Sequence, residues 1–306
     1  MSTAKRPIRK IACVGEVMIE MIATSETDAK LGVAGDTFNT AVYLNRALRD
    51  TDVSVAYVTA LGTDSYSDRI MNALSGHALD TSYVERRDGI MPGLYAIETD
   101  DEGERSFSYW RSAAAARTLF SMPCDVTLDR LNDFDMVLLS GISMAILPQS
   151  IRESILDWAD EFCANGGTLV YDSNHRPRLW ESVEVARTVN SSMWTRADIA
   201  LPSVDDEMAL YDDPTPEAVL DRLTKLGVAR GALKRGSEGP MDLASGETPT
   251  DLPSVSKVID TTAAGDSFNA GFLGAIAKGE TDLDAAAAGH RLAAMVICHP
   301  GAILPE

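Results

Sequence analysis

Asp260-Thr261-Thr262-Ala263-Ala264-Gly265-Asp266-Ser267-Phe268 is the stretch whose residue types and spacing bear most directly on chemistry. It follows a β-prone segment at residues 255–259 and precedes small-residue helical spacing over 267–278. Small side chains let a backbone approach a ligand closely. The N–H groups of a helix's first turn, aligned with its dipole, form an anion site. A carboxylate beside such a site, Asp266, is placed to take a proton from a hydroxyl attacking a bound phosphoryl group. A plain helix start is the competing reading, since Thr and Asp are common N-cap residues.

Two other phosphate-binding signatures are absent. No Walker-type lysine loop occurs, and no G-x-G-x-x-G follows the first predicted strand. The chain of 306 residues has a net charge of −19. Nucleic acid and anionic membranes bind through basic side chains, so neither is an expected partner. No apolar run reaches membrane-spanning length. The basic start of the chain gives way to Glu16 and Glu20, unlike a secretory leader. Cys13, Cys124, Cys163 and Cys298 are scattered without C-x-x-C spacing, and only four histidines occur. Free thiols in a cytoplasmic protein are expected, with no dedicated metal cage. An acidic protein handling an anionic substrate must gather its few cations at the site, which makes single arginines informative.

The elements that position Asp266 follow from periodicity. Residues 11–21 read as a strand, and 36–48 as a helix opened by Gly35-Asp36-Thr37. A strand at 53–60 and a helix at 65–74 come next, then strands at 94–98 and 104–110 around a turn-rich 99–103. From 134 onward strands (134–139, 168–171, 199–201, 229–233) alternate with helices (148–164, 183–194, 205–211, 216–226), and two Ala-rich helices close the chain. Such alternation predicts a parallel sheet covered on both faces.

The motif D-T-T-x-A-G-D-S-F, about forty residues before the last residue, resembles the signature of the ribokinase-like (PfkB) carbohydrate kinases. The resemblance runs along nearly the whole chain and is greatest to the family's 2-keto-3-deoxygluconate kinases. It is carried by 15–20, 35–44, 57–64, Pro92-Gly93-Leu94-Tyr95, Gly103-Glu104-Arg105, Tyr109-Trp110-Arg111, 174–180 and Lys234-Arg235-Gly236. It implies an α/β fold: a doubly wound, mostly parallel sheet with helices on both faces and a small β-sheet lid. A single domain over 1–306 is expected, with lid segments near 15–35 and 80–112.

The resemblance also implies roles. Asp266 is the catalytic base, and Ala263, Ala264 and Gly265 form the anion hole. Gly35, Asp36 and Asn39 meet substrate hydroxyls. Arg111 and Arg176 pair a substrate carboxylate through planar forks of donors, and Tyr95 and Tyr109 add hydroxyls and an apolar wall. Asn174, Lys234, Gly236, Ser237 and Gly239 pass near ATP phosphates. Asp206 and Glu207 sit where the family has an N-x-x-E motif that organises Mg²⁺, although Ser203 stands in place of its Asn. Mg²⁺ is expected to be held by ATP oxygens and water rather than by protein ligands. The expected activity is phosphorylation of a 2-keto-3-deoxy sugar acid at its terminal hydroxyl. The gluconate- and galactonate-derived epimers both stay open. So do two alternatives: a family kinase for fructose, ribose or a nucleoside, and a catalytically silent sugar-acid-binding regulator. Lid strands have exposed edges, so a homodimer or higher oligomer is expected through the lid.

Overall fold

The structure is a computed structural model that describes residues 4–99 and 105–305. Its strands are β1 (Lys10–Val14), β2 (Met18–Ala23), β3 (Ala29–Ala34), β4 (Ser54–Gly62), β5 (Val84–Arg87), β6 (Leu94–Thr99), β7 (Arg105–Trp110), β8 (Met136–Ser140), β9 (Thr168–Asp172), β10 (Ile199–Ala200), β11 (Ala232–Leu233) and β12 (Met241–Asp242). Its helices are α1 (Asp36–Ala47), α2 (Ser65–Gly76), α3 (Gly141–Ile146), α4 (Gln149–Ala164), α5 (Val183–Trp194), α6 (Val204–Tyr211), α7 (Pro216–Lys225), α8 (Ala264–Ala277) and α9 (Asp282–Val296).

Six strands form one sheet in the order β10-β9-β8-β1-β4-β5, with every pairing parallel. Strand β1 shows why. Ile11 and Cys13 pack with Phe38, Val42 and Phe272 on one face. Ala12 and Val14 pack with Trp158, Phe162 and Trp194 on the other. Both alternating sets are apolar, so both faces are buried, as a helix-covered parallel sheet requires. Isolated bridges from Ala200 to Gly231 and from Ser203 to Lys234 run the β11 segment beside β10. The fold is the α/β architecture expected, with a separate four-stranded sheet ordered β3-β2-β6-β7. In that sheet β2 pairs antiparallel with β3 and parallel with β6, and β6 pairs antiparallel with β7.

The structure corrects several boundaries. The single strand expected over 11–21 is two, because the chain leaves the main sheet at Gly15-Glu16-Val17 and enters the small one. A Cβ on Gly15 would lie 2.4 Å from Thr37 Oγ1 and 2.8 Å from Ser143 Oγ, so the crossing is tight. Of the lid expected over 80–112, β5 belongs instead to the main sheet beside β4. Residues 255–259 form no strand. Val258 and Ile259 are half exposed there with no partner strand, and β-prone residues form strands only where they pack. Helix α3 is short and fully buried, so it has no amphipathic pattern to read. Residues 100–104, which include most of the turn expected at 99–103 and Glu104 at the start of the expected strand 104–110, lie outside the described residues.

The carboxyl ends of β1, β8, β9 and β10 lie along one edge of the main sheet, where parallel α/β folds bind ligands. Close approaches fix the parts around that edge. A Cβ on Gly141 would sit 1.8 Å from the Ser173 carbonyl oxygen, and one on Gly271 would sit 2.8 Å from Ala288 O, across α8 and α9. Gly141→Ala is therefore expected to destabilise the protein by about 1–3 kcal/mol through overpacking. Gly76→Ala, where nothing lies within 4 Å, is expected to change stability by less than about 1 kcal/mol, on the stabilising side. Thermal denaturation of both variants checks the contrast.

Candidate active site

A cleft of about 2060 Å³ opens at this edge, between the helix starts and the small sheet. It is roomy enough for two ligands end to end, since single small-molecule pockets occupy roughly 300–1,000 Å³.

Its floor is the start of α8. Ala263 caps that helix in the left-handed region, at φ 62° and ψ 16°. A non-glycine residue held there stores about 1–2 kcal/mol of strain. Ser267 fixes the turn by donating its amide (2.9 Å) and hydroxyl (2.7 Å) to the Ala263 carbonyl. Gly265 and Asp266 lie in the first helical turn, where amides lack intrahelical partners, and both line the cleft. The position of a Cβ on Gly265 faces the Lys234 ammonium at 3.7 Å. The first turn and the lysine therefore flank one small space.

Asp266 Oδ2 accepts a hydrogen bond from Asn39 Nδ2 at 2.8 Å, and Thr40 Oγ1 donates to the Asp266 carbonyl at 3.1 Å. Burial, followed by the nearby Asp36 carboxylate, raises the Asp266 pKa to about 8; Asn39 and Lys234 pull the other way. Asn39 therefore positions Asp266, beyond the substrate-hydroxyl contact expected of it.

Asp36 is the first residue of α1 rather than its N-cap. Gly35 holds that place without a side-chain bond. Asp36 Oδ2 accepts from Ser140 Oγ at 2.6 Å and from Asn174 Nδ2 at 3.1 Å. Burial is the main reason its pKa is raised. Asn174, expected near ATP phosphates, thus holds Asp36. A third carboxylate, Asp172, ends β9. Its Oδ2 accepts from Lys234 Nζ at 2.9 Å and from Asn269 Nδ2 at 2.6 Å, and its Oδ1 accepts from the Asn174 amide at 3.1 Å. Sequence reasoning missed Asp172 and Asn269. Asp172 at a strand's carboxyl end, and Asn269 one helical turn beyond Asp266, were the available signals.

On the lid side, Arg111 is ion-paired to Glu16, which is 1% exposed. Burial raises the Glu16 pKa, against the Arg111 charge. The guanidinium expected to meet a ligand carboxylate already has a partner that the sequence did not reveal. Tyr95 donates its hydroxyl to Glu20 at 2.5 Å and stacks on Tyr109, ring centroids 5.8 Å apart. Tyr95 thus spends its hydroxyl inside the lid, contrary to the role of donor expected of it. The Arg111 guanidinium lies 5.9 Å from the centre of the Tyr109 ring, which is half exposed along the cleft. Arg117 and Ile142 also line this end and were not foreseen.

On the opposite side Lys234, Gly236 and Ser237 line the cleft, beside an apolar wall of Val255, Val258, Ala293 and Ile297. Gly239 does not line it; a Cβ there would point at Leu252. Asp206 and Glu207 separate, because successive helical residues face about 100° apart. Asp206 lines the cleft and accepts from the His175 amide at 3.1 Å, with Arg176 Nη1 3.9 Å away. Glu207 is fully buried off the cleft against Arg222, at 2.9 Å. Arg176 lines the cleft while bonding its neighbour's carbonyl, His175 O, at 2.9 Å.

The model of the pfkB family carbohydrate kinases matches residues 8–306. The chain is 45% identical over 303 residues to the 2-dehydro-3-deoxygluconokinase of Escherichia coli (strain K12), covering 97% of this chain and 98% of that one. It is 43% identical over 302 residues to the protein of the same name from Dickeya dadantii (strain 3937), covering 97% of each. Among solved structures, fructokinase with bound ATP from Xylella fastidiosa superposes with a TM-score of 0.79 at 22% identity, covering 96% of this chain and 93% of that one. That likeness shows the fold.

The raised Asp266 pKa has a consequence for stability. Between the ordinary value of 3.8 and about 8, the folded protein keeps a proton that the unfolded chain releases, so this group lowers stability as pH rises through that window. Asp266→Asn removes the penalty. Its Tm is expected to exceed the wild-type Tm by a few degrees at pH 8, on the order of 2–4 °C, with the difference shrinking toward pH 4. Calorimetry at several pH values checks it.

Proposed function

The chain belongs to the pfkB family of carbohydrate kinases, and on that premise we propose that it transfers the γ-phosphoryl group of ATP to the 6-hydroxyl of 2-dehydro-3-deoxygluconate. One observation carries the mechanism: a carboxylate of raised proton affinity, Asp266, sits in the amide-rich first turn of α8 and opposite Lys234. The acceptor hydroxyl approaches Asp266, which orients it and takes its proton as the new O–P bond forms. The amides of Ala264 and Gly265 and the Lys234 ammonium stabilise negative charge on the transferring group. Asp36, with Gly35, receives the acceptor's hydroxyls, while Arg111, Arg176 and Tyr109 line the end that takes its carboxylate. The nucleotide lies along Lys234, Gly236 and Ser237, with its base toward Val258 and Ile297.

Mg²⁺ fits this site through the nucleotide. No group of three metal-ligating side chains occurs among the described residues. The oxygens of Asp172 are committed to Lys234, Asn269 and Asn174, and Asp206 keeps a place on the cleft. When bound, the ion neutralises phosphate charge, with Asp206 positioned to hold its water shell.

The four-stranded sheet serves as a lid within a single kinase domain, excluding water that would otherwise hydrolyse ATP. Its outer strand β7 carries half-exposed Phe107 and exposed Tyr109 and Trp110, which supports pairing with a second copy. The cytoplasm, where ATP is present and the cysteines stay reduced, is the compartment this reading assigns.

A coupled ADP-release assay with ATP, Mg²⁺ and a panel of 2-dehydro-3-deoxygluconate, its galactonate epimer, fructose, ribose and adenosine tests the assignment. Turnover with the keto-deoxy acids is expected to dominate, and Asp266→Asn to lose about 10²–10⁴-fold in kcat, the usual contribution of a general base. Asp266 acts as a base only when ionised, so kcat/KM for the acceptor is expected to rise with pH through a midpoint near 8 and to level off above it. Preference for a neutral sugar contradicts the substrate assignment, and full activity of Asp266→Asn contradicts the mechanism.

A further inference from the structure

Residues 301–304 form a strap bonded to two elements of the site and packed against a third. The Gly301 amide donates to Asp260 Oδ2 at 2.7 Å, and Asp260 Oδ1 accepts from the Thr262 amide at 3.0 Å. Tyr43 of α1 holds the next residues. Its hydroxyl donates to the Ala302 carbonyl at 2.9 Å and accepts from the Leu304 amide at 2.9 Å. Arg46, also on α1, donates to the Leu304 carbonyl at 2.7 Å. Ala302 is 5% exposed and packs among Met18, Ala34, Tyr95 and Ile97 of the small sheet, with Ala263 partly buried against the same group.

Each partner of the strap carries part of the cleft. Asp260–Thr262 leads into the first turn of α8, α1 carries Asp36 and Asn39, and the small sheet carries Tyr109. Ala263 keeps its left-handed backbone, and such a conformation persists only where the surroundings over-determine it. Ala302 against Ala263, and Asp260 bracketing Thr262 and Gly301, supply that constraint. Tyr43 is buried and does not line the cleft. Its hydroxyl is used both as donor and as acceptor, so a phenylalanine would fill the same space and leave the Ala302 carbonyl and the Leu304 amide without it. Tyr43 lies four residues beyond Asn39, which donates to Asp266, so one face of α1 holds both the base and the strap.

We infer that Tyr43 is a positioning residue for phosphoryl transfer: through the strap at 301–304 it holds the turn before α8 and the packed face of the lid at a fixed spacing. The inference rests on the kinase reading above. A loosened strap lets the lid and the α8 turn shift independently. A misplacement of about 1 Å can cost about 10²-fold in rate, and a loose lid admits water to ATP.

The test compares wild type, Tyr43→Phe, Ala302→Gly and the double variant, with whichever acceptor of the panel above the wild type phosphorylates. Tyr43→Phe is expected to lower kcat about 5- to 30-fold, the population change that two ordinary hydrogen bonds set. ADP release without acceptor is expected to rise relative to transfer. Ala302→Gly removes the lid contact, keeps both Tyr43 bonds and is expected to move both readouts in the same direction. Because the two residues act through one strap, the double variant is expected to lose no more than Tyr43→Phe alone. A fall in Tm with kcat and acceptor-free release unchanged overturns the inference and makes the strap a purely structural tie. Losses that multiply in the double variant also overturn it, since the two residues would then act independently. Where Tyr43→Phe does not fold, Ala302→Gly decides alone, and wild-type kcat with wild-type release overturns the inference. A wild type that phosphorylates no acceptor overturns the kinase reading and the inference with it.

Discussion

Three carboxylates, Asp36, Asp172 and Asp266, are packed within one cleft at the carboxyl edge of a parallel sheet, and the surrounding structure answers to that crowding. Burial, and after it the charge of a neighbouring carboxylate, raises the proton affinity of Asp36 and Asp266, and each of the three needs donors to stay in place. Those donors come from separate elements. Asn39 on α1 holds Asp266 on α8, Ser140 and Asn174 hold Asp36, and Lys234 and Asn269 hold Asp172. The carboxylates thus tie α1, α8 and the ends of β8 and β9 together. The glycines at 15, 141, 271 and 289 allow the close approaches that bring those elements into register. The site is expensive in stability, and the double-sided apolar core of the main sheet offsets that cost.

Charge is also sorted along the cleft. Acidic groups gather at the end of the cleft beside the start of α8, balanced by Lys234 and the α8 amides. Arginines gather under the lid, one neutralised by Glu16. In a chain with far more acids than bases, this sorting is a strong constraint on which ligands enter and which way round they lie. The stacked Tyr95 and Tyr109 rings supply an uncharged wall between the two ends.

Much of this was legible in the sequence because it rests on local pattern. The helix from Asp36 and the alternation after residue 134 follow from periodicity. The turn before α8 follows from small residues ahead of a helix start. What escaped reading depends on who faces whom. Glu16 and Glu20 looked like strand residues, and nothing local says that each anchors a lid side chain, Arg111 and Tyr95. Asp206 and Glu207 are neighbours in an acidic run, yet one faces the cleft and the other is buried against Arg222, a matter of helical phase at a start that lacks apolar markers. Residues 255–259 have strand composition but no partner strand, so they became a cleft wall. The break at Gly15 is a sheet-to-sheet crossing that no propensity encodes.

Burial at this edge, with the Asp36 carboxylate beside it, sets the proton affinity of Asp266. Carboxyl ¹³C NMR of aspartate-labelled protein without ligands, with the Asp266 signal assigned by its absence in Asp266→Asn, measures that affinity directly. A titration midpoint near 8 is predicted. A midpoint in the ordinary carboxylate range near 4 would contradict the claim, since Asp266 would then be an ordinary ionised side chain that the cleft does not tune.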